Sequence, residues 1–256
     1  MLMLSKAKEI SRENLAAIPT PDPTPTWRPV PHSDVAGALV ARAGLRGLKL
    51  RSERYAVQTG YLATDAGIQQ EISGGRLFGS LDFEPISGLA FPDGCTPSLG
   101  VRNSHDKSFS LSVLCGARVV VCANGLLSAE HIIARKHTSG IDLIAAIDAA
   151  MDAFMQSIQG FQQNYQRLRA WSVTRAEAHS LIVEMAKAGA FASTDVLSVV
   201  AEFENPKHPE FRESNAWSIY QSSTEVMKKQ SPARQIEGFR ALNRVLLPHL
   251  NTSVAA

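Results

Sequence analysis

The 256-residue chain has only three cysteines, Cys95, Cys115 and Cys122, an odd number without framework spacing, as expected where thiols stay reduced. No apolar run approaches the roughly 18 residues that a spanning helix needs. The start, MLMLSKAKEISRENL, lacks the basic region, apolar stretch and small-residue site of a secretion signal. A cytoplasmic protein with no membrane partner is therefore expected. One-sided charge is missing as well: 26 basic and 24 acidic residues leave a formal +2, too balanced for a surface that binds polyanions everywhere. Any such surface must be local. Neither C-x-x-C nor H-E-x-x-H occurs, and Gly74-Gly75 and Asn124-Gly125 read as turns without the spacing of a phosphate-binding loop, so no cofactor is expected.

What the chain does have is enough apolar material, 45% of residues against 20% charged, for a substantial core. Six of its 13 prolines fall in the first 31 residues, which makes that segment an extended arm: a flexible leader, or a strap docking on a neighbouring subunit through Leu15, Ile18 and Trp27. Ser33 is placed to cap a helix over 34–43, with Gly44 as its stop. Alternation predicts strands over 48–57, 75–83, 98–102, 109–115 and 118–123, and short connections favour antiparallel pairing.

After Gly125 the pattern is read as helical to the end. Ile144, Ile147, Met151, Phe154, Ile158, Phe161, Tyr165 and Leu168 make a heptad seam, either the buried stripe of a long helix or an oligomer contact. Further helices are expected from Thr174, with Glu177 completing a capping box, and near Thr194, Asn215 and Ser231, with Pro248 closing the last. The fold class is α+β: an antiparallel sheet in the N-terminal half packed against a long helix and a helical C-terminal half. Three parts are expected: an arm over 1–32, a core over 33–203, and a helical hairpin over 204–256 that stands apart or joins the core.

The string Arg102-Asn103-Ser104-His105-Asp106-Lys107-Ser108 lies between two predicted strands, as a polar hairpin at a sheet rim. Adjacent Ser, His and Asp cannot converge as a nucleophile triad, which draws its members from separate segments, so no residue is assigned to catalysis. Between Val101 and Ser139 stand five cations, Arg102, Lys107, Arg118, Arg135 and Lys136, against Asp106 and Glu130, a local net of +3 that suits phosphate contacts. Asp82 and Glu84 could project from one strand face as metal-binding carboxylates of a nuclease, though Pro85 ends that strand. Trp217 and Tyr220, three apart on a helix, read as core residues before they read as a stacking platform.

The strings Thr26-Trp27-Arg28-Pro29-Val30-Pro31-His32, Leu99 to Ser108, Val121-Cys122-Ala123-Asn124, Arg135-Lys136-His137-Thr138 and Asn215-Ala216-Trp217, in this order, resemble the phage and plasmid-like proteins grouped as domain of unknown function 932. The resemblance runs from about Trp27 to Leu247, with 85–97 unplaced. It implies a mobile genetic element and brings no catalytic residues. In outline, strands followed by a long helix with a basic rim are similar to the single-strand annealing proteins of phages, a likeness of fold alone.

The leading expectation is binding or annealing of single-stranded DNA or RNA along one continuous positive track. Arg102, Lys107, Arg118, Arg135 and Lys136 would contact phosphates and Asn103 and His105 would hydrogen-bond, in an assembly of several copies. The alternatives are a host-defence-evasion factor that binds a host protein through the arm or the C-terminal helices, and a metal-dependent nuclease at Asp82 and Glu84.

Overall fold

A computed structural model describes residues 7–63, 69–85, 94–119 and 125–252. Six strands, β1 (Lys8–Ile10), β2 (Leu50–Ala63), β3 (Gln69–Phe83), β4 (Cys95–Ser104), β5 (Leu111–Val119) and β6 (Gly125–Arg135), form one sheet in sequence order. Every pair is antiparallel. The helices are α1 (His32–Leu45), α2 (Leu143–Ala170), α3 (Arg175–Lys187), α4 (Val196–Glu204), α5 (Ala216–Met227) and α6 (Pro232–Thr252). The α+β class and the order of its halves are as the sequence implies.

Several boundaries differ for local reasons. Helix α1 starts at His32 behind Pro31 at the N-cap position, and the Ser33 hydroxyl turns to Asp34 rather than capping. The helix runs past Gly44, and Gly47, at φ +73°, ends it: the Gly47 and Leu48 amides bond the Gly44 and Ala43 carbonyls in a Schellman motif. Gly74-Gly75 is not a turn. Strand β3 continues through it with a register shift between the Gln58 and Gly60 pairings, and Gly74, at φ +74°, supplies the conformation of a bulge. The expected strands over 109–115 and 118–123 are one strand, β5, as far as Val119. Residues 125–135, read as helix, form β6, because pairing with β5 along Leu111–Arg118 overrides their local preference. Pro248 lies inside α6 rather than closing it.

The described part of the arm, from residue 7, folds back on its own chain. Its β1 pairs with β2, and Leu15, Trp27 and Val30 are buried within the same chain. The heptad seam is likewise internal: Ile147, Met151, Phe154 and Ile158 are fully buried as α2 crosses β5 and β6, with Phe154 against Phe83 at 6.0 Å between ring centroids. Asp142 caps α2 by accepting from the Ala145 amide at 3.0 Å. Arg42 grips Asp148 with two nitrogens, at 2.7 and 2.6 Å, and Arg46 reaches Asp148 and Asp152, fixing α1 alongside α2.

Helix α5 is the centre of the helical half and touches α2, α3, α4 and α6. It is buried nearly throughout although rich in hydroxyls, because Ser222 and Ser223 bond back to the Ser218 and Ile219 carbonyls and so need no outside partner. Trp217 and Tyr220 belong to this core, with Tyr165 edge-on to Trp217. One hydrophobic cluster runs from Leu15 to Leu250, and α5 and α6 pack into it with the rest. Among the described residues, no helix is long and apolar enough to cross a membrane.

Candidate functional site

The hairpin between β4 and β5 is built from within. Ser104 closes it by donating to the Phe109 carbonyl at 2.6 Å and accepting from the Phe109 amide. The Asp106 side chain turns inward and is completely buried. One oxygen accepts from Arg76 at 2.7 Å and from the Tyr61 amide, and the other accepts from the Ser108 amide. Burial alone would raise the Asp106 pKa, but the Ser108 hydrogen bonds and the Arg76 guanidinium outweigh it and hold the carboxyl below its ordinary 3.8. The inward turn leaves Lys107 at the tip with φ +62°, a left-handed conformation rare for a side chain of this kind.

Beneath the hairpin lies the arm. The Asn103 side-chain amide uses one hydrogen on the Val30 carbonyl and the other on His32 Nδ1, both at 2.8 Å. His32 Nε2 then donates to the carbonyl of the bulge residue Gly74 at 3.1 Å. Both ring nitrogens of His32 are satisfied in the neutral state, and burial with His105 alongside pushes its pKa down to about 3. His105 stacks on His32 at 3.8 Å, and its nitrogens face the Pro19 and Val30 carbonyls at 3.1 and 3.0 Å. Its pKa too is lowered, chiefly by burial. Asn103 and His105 are thus fully buried fasteners of the arm and present nothing to a ligand at the surface.

Above the fasteners a cleft of about 410 Å³ opens on the rim. Trp27 and Phe109 supply its apolar walls, Lys107 and Lys136 its charge, and Thr26, Ser110 and Thr138 its hydroxyls, with His137 in the lining. The Lys107 ammonium sits 4.8 Å from the centre of the Trp27 ring, an attraction that positions the charge without neutralising it. No carboxylate lines the cleft, and among the described residues neither lysine has a carboxylate partner. His137 is buried, and burial with nearby His105 pushes its pKa down to about 4. The Arg28 backbone against the His137 ring opposes that lowering, and the Trp27 indole nitrogen is buried without a hydrogen-bond partner among the described residues.

The expected continuous track breaks into parts. Lys107 and Lys136 share the cleft, and exposed Arg135 precedes Lys136 where β6 pairs with Leu111. Arg102 comes as far as the other ring wall, its guanidinium 5.1 Å from the Phe109 ring centre and bonded to Ser112. Its pKa is lowered, first by burial and then by Arg240. Arg118 is elsewhere: β4 sets Arg102 opposite Ser112 and Thr96 opposite Arg118, and six residue steps of strand put Arg118 about 20 Å from Ser112 along the backbone. Trp27 and Phe109 line the cleft without being legible as site residues from charge, the string Trp27-Arg28 being the available signal, and His137, next to Lys136 in the basic segment, lines it too.

The carboxylates of the nuclease reading diverge. Asp82 is buried and accepts from Ser52 and Ser98 at 2.8 and 2.7 Å, whereas Glu84 is exposed beyond β3, 3.9 Å from Lys49. Among the described residues no three His, Cys, Asp or Glu converge to hold a metal ion. Cys115 is a buried thiol whose pKa burial pushes up to about 12, and Cys122 lies outside the described residues.

Fold and site together define an α+β protein with a small cationic cleft at the rim of an antiparallel sheet. The family described as "Domain of unknown function (DUF932)" matches residues 85–247, well over half of the sequence, and the chain belongs to that family. The match starts within the stretch that the sequence resemblance left unplaced and stops short of the Thr26 to His32 string, so one cleft wall lies outside it. No curated protein and no solved structure matches the chain.

Proposed function

We propose that this protein binds single-stranded nucleic acid through its phosphates at the cleft between Lys107 and Lys136. One observation carries the reading: two lysines from separate segments converge on a cleft that no carboxylate lines. The cation–aromatic pair of Lys107 on Trp27 holds charge in place while leaving it available to an anion, and Arg102 adds positive charge behind the Phe109 wall. A mobile genetic element, whose DNA passes through single-stranded forms, is the setting that suits this activity. The arm and the C-terminal helices, which a protein-binding reading would need, lie largely within the chain's own core.

With two to three phosphate contacts, log affinity should fall against log salt with a slope of roughly −1.4 to −2 for a single strand. Anisotropy of a labelled oligonucleotide across a salt series measures that slope. Changing Lys107 and Lys136 together to Glu should weaken binding by about a hundredfold, alike for all sequences. Absence of binding at low salt, or an unaltered affinity in the double variant, rules the reading out.

A further inference from the structure

We infer that the cleft receives the terminal phosphate monoester of a strand rather than its internal diesters, a refinement that rests on the nucleic-acid reading. The first argument is charge. A monoester carries about −1.5 to −2 at neutral pH, against −1 for a diester, and the cleft offers two ammonium groups and no opposing carboxylate.

The second argument is the donor set. The Lys107 and Lys136 ammonium groups share the lining with the hydroxyls of Thr26, Ser110 and Thr138, and no acidic side chain competes there for a bound anion. Ammonium and hydroxyl groups both donate, so the wall is rich in donors. Three terminal oxygens of a monoester answer it better than two of a diester.

The third argument is extent. A strand held along its length needs a row of cations, and here the row stops: the Arg102 guanidinium is bonded to Ser112 beside Phe109, and Arg118 begins about 20 Å further along the sheet. A cleft of about 410 Å³ is the size of a small-molecule site and suits one nucleotide. Lys107 is held in a left-handed backbone conformation at its mouth, the kind of local strain that accompanies functional positions.

The test uses the full chain and one short oligonucleotide in four forms: 5′-phosphorylated, 3′-phosphorylated, unphosphorylated and circular. At least one phosphorylated form should bind about tenfold tighter than the unphosphorylated and circular ones, and Lys136→Ala, at an exposed position, should erase the difference. His137 gives a second readout. Its described surroundings are Lys107, Lys136, the Arg28 backbone and the neutral His105 and His32, so a bound dianion should raise its pKa in histidine NMR titrations, assigned with His137→Gln. Equal affinity for all four forms overturns the inference and leaves nucleic-acid binding standing. Binding of none, with His137 shifted by a nucleoside monophosphate alone, marks a free-nucleotide site and overturns both.

Discussion

The buried Asp106 carboxylate should be the most sensitive single point of the rim, and Asp106→Asn isolates its charge with little change of shape. The side chain is completely buried and accepts from Arg76 and from two backbone amides, Tyr61 and Ser108. Breaking a buried ion pair costs about 3–5 kcal/mol, but the Arg76 side chain keeps 34% of its exposure and water can solvate it, so about 2–3 kcal/mol is expected. At about 2–4 °C per kcal/mol for a chain of this size, the melting temperature should fall by about 4–12 °C. Urea unfolding of wild type, Asp106→Asn, Arg76→Gln and the double variant measures the loss and the coupling between partners. The pH dependence has a definite sign. The folded pKa lies below 3.8, so the stabilisation is complete above that value and disappears as pH falls through the folded pKa. A loss below about 0.5 kcal/mol at pH 7, or a wild-type advantage that persists unchanged to the acid limit, refutes the account.

Lys107→Gly should separate stability from binding: relief of the left-handed strain, about 1 kcal/mol, opposes loss of the cation–aromatic contact, about 0.5–1 kcal/mol, while oligonucleotide affinity drops about tenfold. Paired urea and anisotropy titrations check it, and a large stability change or intact affinity contradicts it. Gly238→Ala should destabilise the helical half by about 1–3 kcal/mol, since the new methyl would meet Met227 Cε at 2.5 Å and the Ala190 carbonyl at 2.6 Å. Thermal unfolding of that variant reads the cost directly, and a neutral result would mean that α6 can shift away from α5.

How much was legible depended on whether the signal was local. The α2 seam, the Thr174 and Glu177 capping box and the Asn215 cap were readable because a helix sets its own periodicity and satisfies its own ends within a few residues. Strand β6 was misread because residues 125–135 owe their extended form to β5, a partner on which no local pattern reports. The rim was half legible. Its lysines stood out as charge, but Asn103 and His105, which look like ligand-binding groups in a polar string, are buried by an arm some 70 to 90 positions earlier.

The sequence by itself determined an α+β chain, its strand-rich and helix-rich halves, the caps of α3 and α5 and a local surplus of positive charge, because propensity, periodicity and composition act over short distances. Only the tertiary structure decided which cations meet. Pairing register carries Arg118 to the far end of β5, the bulge at Gly74 and the stacked pair of buried histidines seat the arm, and the seated arm brings Trp27 under Lys107. Register and burial couple residues far apart in the chain, so the cleft exists only once the whole sheet has closed around it.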